Sequence, residues 1–111
     1  MSSTRQYMAI ILYESSCSAP GYEPLYEECW TIIEADSEEH ARQKAHTHAQ
    51  QAQHSYENQF GETVTVTFKQ VVDVAPLLSD VVEDGAELYA RFFRNYQAYC
   101  QFEPLLGGEP L

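Results

Sequence analysis

The sequence predicts an α+β fold: a single four-stranded antiparallel sheet in the order β-β-α-β-β, one main helix on one face, and an aromatic C-terminal tail. Three observations predict it. The opening stretch is apolar on both of its faces, a capped helical segment follows a second β-rich run, and a third β-rich run alternates polar and apolar positions. A length of 111 residues fits one domain, expected over residues 1–94, with a tail at 95–111.

The first strand is Gln6 to Glu14, with Met8, Ile10 and Leu12 on one face and Tyr7, Ile11 and Tyr13 on the other. A strand apolar on both faces belongs in the middle of a sheet. Ser15 to Pro24 reads as a loop by its Ser, Pro and Gly content. Leu25 to Ala35 is the second strand, and the short connection suits antiparallel pairing with the first. Asp36 then offers an N-cap, with Glu39 in capping-box spacing, for a helix running to about His54. Its stripe of Ala41, Ala45, His48, Ala49 and Ala52 is small enough to lie close on a sheet. Tyr56 to Gly61 reads as a turn whose aromatics plug the helix end. Thr63 to Val74 is the third strand, with Val64, Val66 and Phe68 inward. After the turn Glu83-Asp84-Gly85, Ala86 to Arg94 is expected as the fourth strand, and Asn95 to Phe102 as a helical turn before a Pro/Gly-rich end.

Charge excludes several functions. Seventeen acids stand against six Lys and Arg, a formal net charge of -11. A surface this negative repels phosphate backbones and anionic lipid, so no nucleic-acid partner is expected. No apolar run approaches the ~20 residues of a membrane span, and MSSTRQYM lacks a secretory h-region, so no membrane insertion and a cytoplasmic location are expected. Eight acids between Gln6 and Ala41, and five between Gln70 and Ala90, are unopposed by any base. Glu23, Glu27, Glu28, Asp80, Glu83 and Asp84 from these stretches are the candidate acidic docking residues.

No chemistry emerges from the remaining residues. Cys17, Cys29 and Cys100 are odd in number and widely spaced, which suits reduced structural thiols. His40, His46, His48 and His54 lack the i, i+3 or i+4 spacing of helix zinc ligands, so no metal is expected. The adjacent carboxylates are accounted for by strand alternation, capping and a turn. No nucleophile elbow or phosphate loop is present, so neither a catalytic residue nor a cofactor is assigned. The aromatics exceed what one small helix can cover. Trp30, Tyr89, Arg91, Phe93, Tyr96, Tyr99 and Phe102 are therefore the candidate contact residues, being of the types that dominate binding hot spots.

Five segments carry a family resemblance: Tyr26-Glu27-Glu28, Ala35 to Ala41, Ser55-Tyr56-Glu57-Asn58, Gly61-Glu62-Thr63-Val64, and Asp84 to Tyr89. In this order the chain resembles a family of small acidic bacterial proteins known only as a domain of unknown function, with Tyr7 where that family usually has Trp. The resemblance spans residues 5–94, implies a compact α+β domain and supplies no catalytic residues. Without a shared motif, the chain is also similar to small peripheral subunits of photosynthetic NAD(P)H dehydrogenase-like complexes. The leading expectation is a non-enzymatic accessory protein docking on a larger, locally basic partner. The alternatives are a homodimer, an acidic inhibitor of immunity or nucleic-acid-mimic type, and an uncharacterised enzyme or metal protein.

Overall fold

A computed structural model describes residues 4–79 and 81–103. The chain runs β1 (Arg5–Cys17), β2 (Leu25–Ala35), α1 (Glu38–Gln51), β3 (His54–Glu57), β4 (Thr63–Pro76) and α2 (Tyr96–Phe102). The four strands form one antiparallel sheet in the order β2-β1-β4-β3. β1 lies inside, as its two apolar faces require, and it extends three residues beyond the expected Glu14. Ile10 and Ile11 point to opposite faces and both are fully buried.

One face is closed by α1. Tyr7, Ala9, Ile11, Tyr13, Ile33 and Val74 meet Ala41, Ala45 and Ala49 there. The alanines let the helix backbone approach the sheet, so large side chains come almost entirely from the strands. Since β2 and β3 are the two sheet edges, α1 must carry the chain across all four strands. Fourteen residues span ~21 Å, against ~14 Å for three inter-strand spacings, so a diagonal crossing fits. The helix cap is Ser37, not Asp36: Ser37 Oγ accepts the His40 backbone N–H at 3.0 Å. Asp36 instead meets His40 Nδ1 at 2.9 Å. The shorter hydroxyl side chain sits one residue closer to the orphan amide, and that decides the cap.

β4 departs from simple alternation. Its pairing with β1 shifts between Ile10 and Ile11 and again between Leu12 and Tyr13. Each shift leaves one extra residue on β4, Val72 and Lys69, in the manner of β-bulges. Core-facing positions therefore run Val64, Val66, Phe68, Val71 and Val74, changing from spacing two to spacing three. Lys69 is turned outward, where its Nζ lies 3.1 Å from Glu14.

The expected strand at Ala86–Arg94 has no regular structure. The fourth strand is β3, which pairs with β4 through the turn at Asn58–Glu62. Asn58 Oδ1 accepts the backbone N–H groups of Phe60 and Glu62, and Gly61 takes φ +76. That five-residue connection closes at little entropic cost, so the sheet gains its fourth strand locally, against Thr63–Val66 of β4. Tyr56 and Phe60 are consequently exposed and do not plug the helix end.

The C-terminal segment lies across the other face instead. It leaves β4 with the Leu77 N–H bonded to Gln6 O, loops back so that the Leu78 N–H meets Leu88 O, and turns at Gly85 with φ +85. α2 follows at the expected place, with Asn95 Oδ1 accepting the Ala98 N–H. Ser37→Ala should destabilise the fold by about 1 kcal/mol in urea denaturation. Asp36→Ala should change it by less, because the Asp36–His40 pair is half exposed.

Candidate interaction surface

Period-two geometry divides β2 between two environments. Cys29, Thr31 and Ile33 face the helix side, whereas Tyr26, Glu28, Trp30 and Ile32 share the opposite face with Ile10. Ile10 is flanked on that face by Trp30 of β2 and Asp73 of β4. Tyr89 bridges this pair. Its hydroxyl donates to the Asp73 carboxylate, and its ring meets Trp30 edge-on at 5.4 Å. Burial together with the hydrogen bond to Asp73 pushes the Tyr89 phenol up to about 12. Tyr89 thus lies over Ile10 and ties the irregular segment to the sheet.

Trp30 is not consumed by this contact. It remains 53% exposed, with its Nε1–H donated to Glu28 Oε1 at 3.0 Å. On the same face Tyr26 and Ile32 are exposed as well, with the exposed carboxylates of Glu28 and Glu34. Leu25 and Glu27 are exposed on the opposite parity of β2, and Glu23 in the loop before it. Among the described residues no strand pairs with the outer edge of β2.

The remaining contact residues gather elsewhere. Phe93 and Tyr99 stack at 4.6 Å with planes 9° apart. Together with Arg91, Phe92 and Phe102 they line a groove of about 350 Å³. Tyr96, on the first turn of α2, is exposed in part. The structure therefore brings Trp30 to Tyr89, and Arg91 to Phe93, Tyr99 and Phe102, as two separate groups. Glu83 and Asp84 lie in the turn before Gly85, apart from β2, and Asp80 lies outside the described residues. Asp73, Tyr26 and Ile32 are not among the candidate contact or docking residues assigned from the sequence. Their shared parity with Trp30 and Ile10 becomes visible only when the register is known.

Among the described residues no set of three or more His, Cys, Asp or Glu side chains could hold a metal ion. His46 packs edge-on against Phe68 at 5.5 Å, and His54 stacks on Tyr56. The three cysteines are free. Burial and a hydrogen bond to Glu27 push the Cys29 thiol up to about 11, which suppresses the thiolate at neutral pH.

The fold and surface define an acidic α+β domain with a helix on one sheet face and an irregular segment tied across the other. The chain belongs to the family described as Domain of unknown function (DUF4288), whose model matches residues 6–90. The match includes Tyr89 and stops before α2. No curated relative and no solved structure matches the chain.

The raised Tyr89 phenol fixes the sign of an alkaline effect. Its folded value lies above the ordinary 10, so its stabilisation is complete below about pH 10 and is lost as pH rises toward 12. Tyr89→Phe should lower stability at pH 7 by about 1 kcal/mol. It should also remove this alkaline component from wild-type minus variant denaturation curves. Cys29 should react with iodoacetamide at pH 8 more slowly than an unstructured cysteine, accelerating as pH approaches 11. Peptide mapping of the labelled Cys17→Ser variant reads this directly.

Proposed function

We propose that the chain is a non-enzymatic interaction module that docks through β2 and its neighbouring carboxylates onto a larger, locally basic protein. The observation that carries this reading is the coincidence, on one unpaired edge strand, of exposed Leu25, Tyr26, Trp30 and Ile32 with Glu27, Glu28 and Glu34. Apolar groups ringed by like charge suit a contact in which charge steers the encounter and aromatic burial supplies affinity.

Residue duties elsewhere support the choice of β2. Ser37 caps a helix, Asn58 and Gly61 build a hairpin turn, and Tyr89 ties down the C-terminal segment. In Tyr26-Glu27-Glu28, the side-chain hydrogen bonds described are short-range, Cys29 to Glu27 and Trp30 to Glu28. Three neighbouring large or charged side chains that do so little for the fold are available for a partner. The acids also lie on both faces of β2 and in the remote Gly85 turn, a spread that suits a steering field more than a phosphate-mimicking row.

Immobilised wild-type chain should capture a stoichiometric basic protein from lysate of the source organism at low salt, and less of it at moderate salt. The double variant Glu27→Gln, Glu28→Gln should capture several-fold less at low salt while keeping its thermal midpoint. Equal capture by the variant, or a partner insensitive to salt, would overturn the reading.

A further inference from the structure

The docking reading above says where a partner binds; the backbone of β2 says how. We propose that the outer edge of β2 is a strand-addition site, at which an extended basic segment of the partner pairs antiparallel with Tyr26–Glu34, its end at Ile32–Glu34 entering the groove between β2 and α1.

Gln6 O accepts the Leu77 N–H, so the Gln6 backbone points toward β4. Glu34 stands opposite Gln6 in the β1–β2 register. Glu34 therefore belongs to a pair without mutual hydrogen bonds, and its N–H and C=O point away from β1. By alternation the same holds for Ile32, Trp30, Glu28 and Tyr26. A second contact agrees: Lys44 Nζ reaches from α1 to donate to Glu34 O. A donor outside the sheet already occupies one of the acceptors that an added strand would use. The β1–β2 register runs through eleven pairs without a shift. β2 therefore lacks the bulges and prolines that blunt natural sheet edges.

Next to this edge lies a groove of about 760 Å³, walled by Ile32, Ile33 and Glu34 on one side and Gln43, Lys44 and Thr47 on the other. Its size falls within the roughly 300–1,000 Å³ usual for ligand sites. A groove between an edge strand and a helix is the setting in which peptides add to a sheet, backbone bonds giving affinity and alternate side chains giving specificity.

Charge selects the occupant. β2 carries Glu27, Glu28 and Glu34 and no base. A second copy would set another three carboxylates along the same ribbon, between two chains each of net charge -11. A basic strand neutralises them. On the Trp30 face, an antiparallel segment meets Glu34, Ile32, Trp30, Glu28 and Tyr26 in turn. Side chains at every second position should therefore run basic, apolar, apolar, basic, apolar. The intervening positions face Gln43, Thr47 and His48 and should be small and polar.

The probe is the peptide Lys-Thr-Val-Thr-Val-Thr-Lys-Thr-Val, blocked at both ends and carrying a fluorophore, titrated with the full chain and followed by anisotropy. It should bind, and N-methylation of alternate amides on the register that faces β2 should weaken binding at least tenfold, whereas N-methylation on the other register should not. Hydrogen exchange at Glu28, Trp30 and Ile32 should slow on binding, while exchange at Cys29 and Thr31 stays unchanged. Glu28→Gln with Glu34→Gln should weaken binding at low salt with the thermal midpoint retained. Equal binding of both N-methylated peptides would overturn strand addition and leave the acidic docking reading standing. No peptide binding, alongside continued capture of a basic protein, would do the same. Loss of both would remove the two together. A concentration-dependent dimer that Trp30→Lys dissociates, with slowed exchange at the same three amides, would overturn the basic peptide in favour of a second copy.

Discussion

Complete burial of two consecutive residues in β1 governs this structure. Ile10 and Ile11 have no accessible surface, yet adjacent strand residues point to opposite sides of a sheet. Burying both demands two covers, and the described residues offer one substantial helix. α1 takes the Ile11 side. The Ile10 side falls to a segment without regular structure, which must find its backbone partners locally and be fastened from outside. The Tyr89–Asp73 bond and the Trp30–Tyr89 contact supply that fastening, and they flank Ile10 because the register sets Trp30 and Asp73 on either side of it.

The two covers differ in what they leave over. α1 approaches closely through alanines, so the strand side chains beneath it are satisfied and the helix exposes Gln, His and Lys to solvent. The C-terminal segment covers the middle of its face and leaves the β2 flank open. Trp30 is thereby divided, one edge against Tyr89 and the rest of the indole exposed. A half-covered tryptophan on an edge strand is both part of the fold's fastening and the largest apolar group offered outward. The surface proposed for docking is thus continuous with surface that holds the chain together.

Much of the fold was legible because its strongest signals are local. The two-faced apolar run of β1, the strand-loop-strand spacing to β2, the acid-headed alanine stripe of α1 and the Thr/Val alternation of β4 each follow from neighbouring residues. β3 was not legible: His54–Glu57 is four residues long, polar and exposed, and becomes a strand only because the Asn58 turn returns it to β4. Ala86–Arg94 misled for the complementary reason. Its alternation is real, but the segment is held through Tyr89 by Asp73 and Trp30, and sequence periodicity carries no record of such long-range contacts. The site divided along the same line. Trp30, Glu27 and Glu28 could be picked out as residue types, whereas Tyr26, Ile32 and Asp73 acquire meaning only through parity and pairing.

The two sheet edges make the final contrast. Opposite β2, β3 covers only Thr63–Val66, and the β4 edge beyond it is interrupted by the bulges at Lys69 and Val72, so neither templates a long regular strand. β2 offers eleven in unbroken register, and β1 behind it is fixed by burial on both faces. An incoming strand at β2 would therefore extend a sheet whose central member cannot shift, which keeps the ordering cost on the incoming peptide. The β2 carboxylates would do two things at this edge. They would disfavour pairing between like chains, the ordinary hazard of a long regular edge strand, and favour a strand of opposite charge. In the proposed strand addition, selectivity at β2 would rest on the same residues that oppose self-association.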